Sequence, residues 1–357
     1  MPFYEPLDPN SDITTTKTAL HEAIPITGSI VSGTYSDNNI KNYTHGQFQT
    51  VYDYPYLSSS ANKLLDITIG YHASSPLSAS TSVQNAKKIN MYNEMSLVLL
   101  GVTGANNAVR QFEIDLSPDM TGSAKSGYFI ALSRLLTKDE IRKGSFSITI
   151  GSGSYTNPFA GVSTANNRTF SDVSASLNGT QVGTCLGGEY GLLYDTTASI
   201  TTPAFGIIYY QAGIIFLTSS IFDQSAGGGL NQFWGMGYPG VATMGVTGAF
   251  TGSSITSSCD ALRHRIYNMS FNNTTDINST IYFCRAATNK FNYSSNPTYV
   301  SSSQIVVKSV ASDPPVSYIT TVGLYNSANE LLATAKLSEP LKKDPNNELV
   351  LRVRLDY

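Results

Sequence analysis

The side chains on which chemistry would rest in this chain are four histidines, three cysteines and a few clustered charges. His21, His45, His72 and His264 are scattered, and none has a second metal ligand at helical or hairpin spacing. A catalytic triad is assembled in space rather than along the chain, so spacing alone does not test for one. Cys185, Cys259 and Cys284 lack metal-ligand spacing, and an odd number implies no complete disulfide framework. They read as reduced, mostly buried thiols of a protein assembled in a cytoplasm. Asp115 and Asp119 could be imagined as a glycosidase pair, but a bare spacing of two acids carries almost no information. Lys138, Asp139, Glu140, Arg142 and Lys143 read as the wet face of a short helix over 137–143. Thr137 and Glu140 have capping-box spacing there, and Gly144 closes it. His264, between Arg263 and Arg265, reads as a polar edge entering a C-terminal sheet. The glycines of 227–240 make no phosphate cradle, because no Lys-Ser/Thr follows them. No nucleophile elbow, zinc-protease helix or Ca²⁺ loop occurs. The expectation is a protein that is not an enzyme, with no cofactor and no metal.

The elements that must position these residues follow from composition. In 357 residues the hydrophobic fraction is 41%, enough to fold, whereas charged residues make up only 13%, about half of the roughly 25% usual in soluble domains. Ser, Thr, Asn, Gly and 22 Tyr replace the missing charge. Long helices need Glu, Lys and Arg on their wet faces, so the balance favours sheets joined by Gly/Asn/Ser turns. The predicted class is mainly β, with antiparallel, sandwich-like sheets, a few short helices, long loops and an extended N-terminal arm. A net charge of −3 without basic clusters argues against nucleic acid as a partner. The longest apolar run, 205–217, is too short for a membrane helix and reads as one or two buried strands.

Three segments are expected: an arm over 1–58, a central β-rich domain over 59–260, and an antiparallel β domain over 261–357. Five prolines break up the arm, and the isoleucines around Pro25 form a short edge strand at most. Phe48, Tyr52, Tyr54 and Tyr56 give the arm large aromatics with few charges, a candidate interface. Ser59 or Ser60 could cap a turn through Ala61, Leu64 and Leu65. Ile89, Tyr92, Met95 and Leu99, with Val98 beside them, predict a helix over 89–101 closed by Gly101. Strands are predicted at 127–133, 145–150, 190–195, 279–285 and 304–308. The segments 317–325 and 330–336 flank a turn of hairpin length, Asn326–Asn329. A last strand, 348–357, puts Leu349, Leu351, Val353 and Leu355 on one face and Arg352, Arg354 and Asp356 on the other. The uncharged loop 227–240 carries Phe233, Trp234 and Tyr238, a second candidate interface.

Several stretches carry a resemblance. They are Val51–Asn62, Lys87–Asn93, Gly188–Tyr194, Asn292–Thr298, Tyr318–Tyr325, Asn329–Ala333 and Ala335–Lys343. Together they resemble uncharacterised virion structural proteins of large tailed bacteriophages, of the marine and cyanobacterial myovirus type. The resemblance implies a virion component of the tail or baseplate, assembled in the host cytoplasm. Its partners would be other virion proteins and copies of itself, without membrane insertion. It supplies no catalytic residues. A capsid decoration or neck protein is the neighbouring alternative, and a receptor- or glycan-binding adsorption protein is an alternative of another class.

Overall fold

The computed structural model describes residues 4–27, 37–103, 107–114, 122–151, 167–175, 182–196, 204–222, 248–294, 299–301, 304–305, 310 and 312–357. The strands run in chain order as β1 (Ile13–Thr27), β2 (Ile40–Asn42), β3 (Gln49–Tyr52), β4 (Lys63–Tyr71), β5 (Phe112–Glu113), β6 (Ser123–Ala124), β7 (Ser126–Leu132), β8 (Glu140–Ile141), β9 (Ser147–Gly151) and β10 (Asn167–Ser171). They continue as β11 (Gly183–Cys185), β12 (Gly188–Asp195), β13 (Gly206–Tyr209), β14 (Ile214–Thr218), β15 (Ile266–Ala286), β16 (Val300–Ser301), β17 (Gln304–Ile305), β18 (Ser317–Tyr325), β19 (Leu331–Lys343) and β20 (Leu349–Asp356). The α-helices are α1 (Asn85–Leu99), α2 (Arg134–Thr137) and α3 (Ile255–Arg263). The protein is mainly β, with antiparallel sheets, as the composition predicts.

Two compact units emerge, Leu20–Thr275 and the pair of segments Met1–Ala19 and Asp276–Tyr357. This differs from the expected division at 58 and 260. Residues 40–52 supply β2 and β3, which pair through to β4, so they belong to the sheet of the larger unit. The edge strand around Pro25 is also far longer than expected. Proline lacks an N–H, but among the described residues β1 pairs on one side only, with β15, and an edge strand tolerates the missing donor.

In the larger unit the strands run β15–β9–β10–β12–β13–β14–β7–β4–β3–β2, with β8 on β15 and β11 on β12. Alternate residues of the central strands enter two different cores. Tyr128, Ile130, Ile208, Ile215 and Leu217 join one, together with Cys259 and Leu262 of α3 and Ile148 of β9. Phe129, Ile207, Tyr209 and Phe216 join the other, with Tyr92 and Leu99 of α1 and Phe112. Burial on both faces is why 205–217 is a continuous apolar run rather than an alternating one. In the second core Phe112 stacks on Phe216 with centroids 4.6 Å apart and meets Tyr92 edge-on at 5.3 Å. The Tyr92 hydroxyl donates to Ala124 O at 2.8 Å and accepts from Phe112 N at 3.0 Å, so its polar end is satisfied inside.

Close backbone approach fixes one glycine here. A Cβ on Gly127 of β7 would lie 2.4 Å from Leu217 O and 2.5 Å from the Phe216 ring. Gly127→Ala is therefore expected to lose about 2 kcal/mol in urea unfolding, through overpacking that neither backbone nor ring can relieve. A loss below a few tenths of a kcal/mol would contradict this.

α1 forms where the apolar spacing predicts, and Gly101 closes it at φ +78°. Two other local readings are overturned. Leu64 and Leu65 lie in β4, not in a capped turn, because alternating Leu65, Ile67 and Ile69 are all buried in the first core. The helix around Thr137 ends at that residue instead of starting there. Lys138 takes φ +52°, and the N–H of Thr137, which a capping box would give to Glu140, donates instead to Ser133 O at 3.2 Å inside α2. Asp139 N donates to Thr274 O at 3.2 Å and Ile141 N to Tyr210 O at 3.0 Å.

The smaller unit holds residues 13–19 of β1, residues 276–286 of β15, and β20, together with the two-stranded pairs β18–β19 and β16–β17. β20 alternates as predicted: Leu349, Leu351 and Leu355 are half-buried, Val353 is buried, and Val350, Arg352, Arg354 and Asp356 are exposed.

Candidate assembly surfaces

The aromatic residues of 43–57 lie on β3 and on the connections that precede and follow it in the larger unit. Phe48 is half-buried and closes a trio with Tyr43 and His45, at centroid separations of 4.8 and 5.0 Å. Lys41 lies over the Tyr43 ring at 4.9 Å. Tyr52 continues the strip. Burial first, then the neighbouring Tyr43 hydroxyl, pushes its phenol above the ordinary value. Its ring is 6.3 Å from that of Tyr56. Phe48, Tyr52 and Tyr56 thus belong to one strip running through Tyr43, while Tyr54 and Leu57 stand out at 57% and 86% exposure.

The loop that presents them is tied at its neck. Asp53 accepts from Asn62 N at 2.6 Å and from Asn62 Nδ2 at 2.9 Å, and its own N–H donates to Asn62 O at 3.1 Å. Asn39 donates its amide to Tyr52 O and Asp53 O, and Tyr56 N donates to Asn38 O. The backbone is held before any partner arrives, which lowers the ordering cost of binding. Phe233, Trp234 and Tyr238, the other three candidate interface residues, lie outside the described residues.

The smaller unit has a different peculiarity. Among its described residues only Ala286 and Val353 are buried apolar side chains, and neither belongs to a core cluster. Its other buried side chains are polar: Asp12, Ser279, Thr280, Ser317 and Lys343. Lys343 Nζ donates to Asn292 Oδ1 at 2.7 Å and Asp344 O at 2.9 Å, and Ser317 Oγ donates to Phe291 O. Ser317 and Lys343 face each other across the base of the β18–β19 hairpin, so its root is fixed by buried polar contacts. Beyond the root, Ile319, Val322, Leu324, Leu337 and Leu341 are only half-covered, and Tyr318, Tyr325, Leu331 and Leu332 are exposed. Tyr4 meets Tyr325 edge-on at 4.9 Å.

His72, the charges of 138–143, the two arginines beside His264 and the three cysteines each have a definite structural setting. His72 Nδ1 lies 2.8 Å from Ser74 Oγ, but it also accepts Ser74 N at 3.1 Å, as a turn contact does. The charges of 138–143 do not form a helical face: Lys138 pairs with Glu22 at 2.8 Å and Lys143 with Glu189. Arg263 and Arg265 are no polar edge either. Both are buried at the end of α3, where Arg263 Nη2 donates to Asp260 Oδ1 at 3.1 Å and Arg265 Nη1 to Ala261 O at 3.0 Å. Cys259 is buried, and Cys185 and Cys284 are half-buried; burial pushes all three thiols up, away from the reactive thiolate. Among the described residues no three His, Cys, Asp or Glu side chains cluster as a metal site would require. No helix there is long and apolar enough to cross a membrane.

Among the buried charges of the larger unit that sequence reasoning missed are Lys88 and Asp172. Nothing in the local sequence marks either one, since their partners lie far along the chain or in loops. No family model matches the chain, and no curated protein or solved structure matches it significantly.

Proposed function

We propose that this chain is a non-enzymatic structural subunit of a tailed-phage virion, placed in the tail or baseplate and acting through protein–protein assembly. The observation that carries the assembly role is that the described residues of the smaller unit close no apolar core. A chain segment of domain size normally closes its own apolar core. Here amphipathic strands stop half-covered, and a two-stranded hairpin with an apolar face is at best marginal alone. Neighbouring subunits would complete these faces. The pre-tied aromatic loop 53–62 supports the same reading, because tyrosine anchors on a fixed backbone suit an interface core. The resemblance of Val51–Asn62, Tyr318–Tyr325, Asn329–Ala333 and Ala335–Lys343 to phage virion proteins supplies the setting.

The test is a reconstruction of the purified particle of the encoding virus. The chain is expected in several copies in the tail or baseplate, with the hairpin and the 53–62 loop covered by neighbours. Density on the capsid or neck would overturn the location, and absence from the particle would overturn the reading. A variant carrying Tyr54→Ser, Tyr56→Ser and Leu57→Ser is expected to melt within about 1 kcal/mol of the parent, since these side chains are exposed. Its incorporation into particles should fall about tenfold. Unchanged incorporation would remove this loop from the interface.

A further inference from the structure

β20 is the surface whose partner can be named. Among the described residues it pairs only with β15, through eight matched positions from Ser279–Asp356 to Ala286–Leu349. Asn278 and Tyr357 exchange both backbone hydrogen bonds, at 3.0 and 2.9 Å. In an antiparallel ladder this parity repeats every second residue. Leu355, Val353, Leu351 and Leu349 therefore bond inward to β15. Val350, Arg352, Arg354 and Asp356 turn their N–H and C=O groups to the open side. The strand has no proline and no recorded bulge along its pairing with β15, so two common protections of an exposed edge are absent.

The side chains favour one occupant, a second copy of the same strand. Antiparallel pairing through the outward groups keeps half-buried apolar residues on one face and charged residues on the other. Three registers use these groups with good overlap, and charge separates them. One sets Arg352 opposite Arg354 twice. Another sets Arg352 opposite itself and Glu348 opposite Asp356. The third sets Arg352 opposite Asp356 twice, with Val353 facing Leu355 and Leu351 facing Tyr357 on the apolar face. Only Arg354 then meets itself, on the two-fold axis. Its charge is already offset by its own Asp356, with Nε 2.7 Å from Oδ1. Opposite charges directly across a ladder stabilise it and like charges oppose it.

We propose that the chain self-associates as an isologous dimer by adding β20 to β20 of a second copy, in the register that places Arg352 against Asp356. The pairing extends the β15–β20 sheet across the two-fold axis and supplies about six inter-chain backbone hydrogen bonds. This rests on the assembly reading above and specifies one of its contacts. Its failure with particle incorporation intact would leave assembly with other proteins standing.

The experiment uses the full chain. Arg354 lies on the axis, and opposed residues of a hydrogen-bonded pair have Cα atoms about 5.5 Å apart, within disulfide reach. Under mild oxidation R354C is expected to give a disulfide-linked dimer. R352C should give at least about tenfold less, because its counterpart is Asp356, and the wild type with its three cysteines is the baseline. In sedimentation, R352D should weaken the dimer about tenfold, and R352D/D356R should recover most of it, with melting curves confirming that each variant folds. A wild type that stays monomeric up to about 100 μM, far above the micromolar range of specific association, overturns the proposal. Equal cross-linking of R352C and R354C, or no weakening in R352D, overturns the register and with it the pairing.

Discussion

Replacing Asp172 with alanine is expected to cost about 4 kcal/mol of stability at neutral pH, the largest single-residue loss foreseen here. Its carboxylate is buried and accepts three donors: Gly144 N at 2.8 Å, Phe146 N at 2.9 Å and the Tyr210 hydroxyl at 2.9 Å. Alanine leaves two backbone N–H groups and a phenol without an acceptor where water does not reach. Those bonds hold the turn at Gly144, where φ is +74° and a Cβ would come within 2.7 Å of Ala175 O. Asparagine would not rescue the site fully, since its amide nitrogen would face a donor. Burial outweighs the three hydrogen bonds and raises the Asp172 pKa above its ordinary value. The sign follows. A carboxyl with a raised folded pKa contributes stability at acid pH, and this is lost as pH rises from 3.8 through the folded value. Urea titrations should therefore show the gap between wild type and D172A widening on acidification. A gap under about 1 kcal/mol at pH 7 would mean that the turn is held by other contacts.

The second large effect concerns Lys88. This lysine of α1 is fully buried, and its Nζ donates to Phe250 O at 2.6 Å and Ser253 O at 2.7 Å, capping the carbonyls of the turn before α3. Burial, only partly offset by the nearby Cys259 thiol, lowers its pKa from 10.5 to about 8. The unfolded chain then holds the proton more tightly than the folded one between those values. Stability from this group is thus complete above pH 10.5 and is lost as pH falls through 8. Across that window the wild type should gain about 3 kcal/mol relative to K88M, which does not titrate there. The comparison also cancels the tyrosines that ionise in the same range. Parallel stability curves for the two proteins between pH 8 and 10 would refute the assignment.

What the sequence showed depended on how local each cause was. β20 was legible because one covered face produces period-two alternation along it, and β18–β19 because the same alternation runs on either side of the bulges that interrupt it. The run 205–217 was legible as buried strand from continuous β-branched and aromatic residues, although the turn at Tyr210–Gly213 was not. α1 was legible through Ile89, Tyr92, Met95 and Leu99, yet the stripe misplaces its polar members. Val98 is exposed while Lys88 and Ser96 are buried, since their carbonyl partners outweigh hydropathy. Thr137 and Glu140 failed as a capping box because Thr137 closes α2, its N–H bonded back to Ser133 O, and the chain beyond it bonds to β15 and to Tyr210 O. Of the candidate interface, Phe48, Tyr52, Tyr54 and Tyr56 were legible as residue types. Their presentation was not, because it depends on Asp53, Asn62 and Asn39, which look like ordinary loop residues. That the described residues of the smaller unit close no apolar core was invisible, since half-covered and covered strands share one pattern.

The α1 contacts also impose an order in time. Gln84, at φ +53°, turns the chain into α1, and its side-chain oxygen accepts from Ile255 N of α3 at 2.9 Å. Lys88 needs residues 250 and 253, and Gln49 needs Asp260, which it reaches at 2.7 Å. On a ribosome that adds about 5–20 residues each second, these groups wait on the order of ten seconds for their partners. Through that interval the first half of the chain carries an unpaired lysine and open strand edges. Assembly in quantity would therefore be limited by how well the nascent chain is shielded until α3 is made, so production should respond to chaperone supply and slower growth temperature more than to promoter strength.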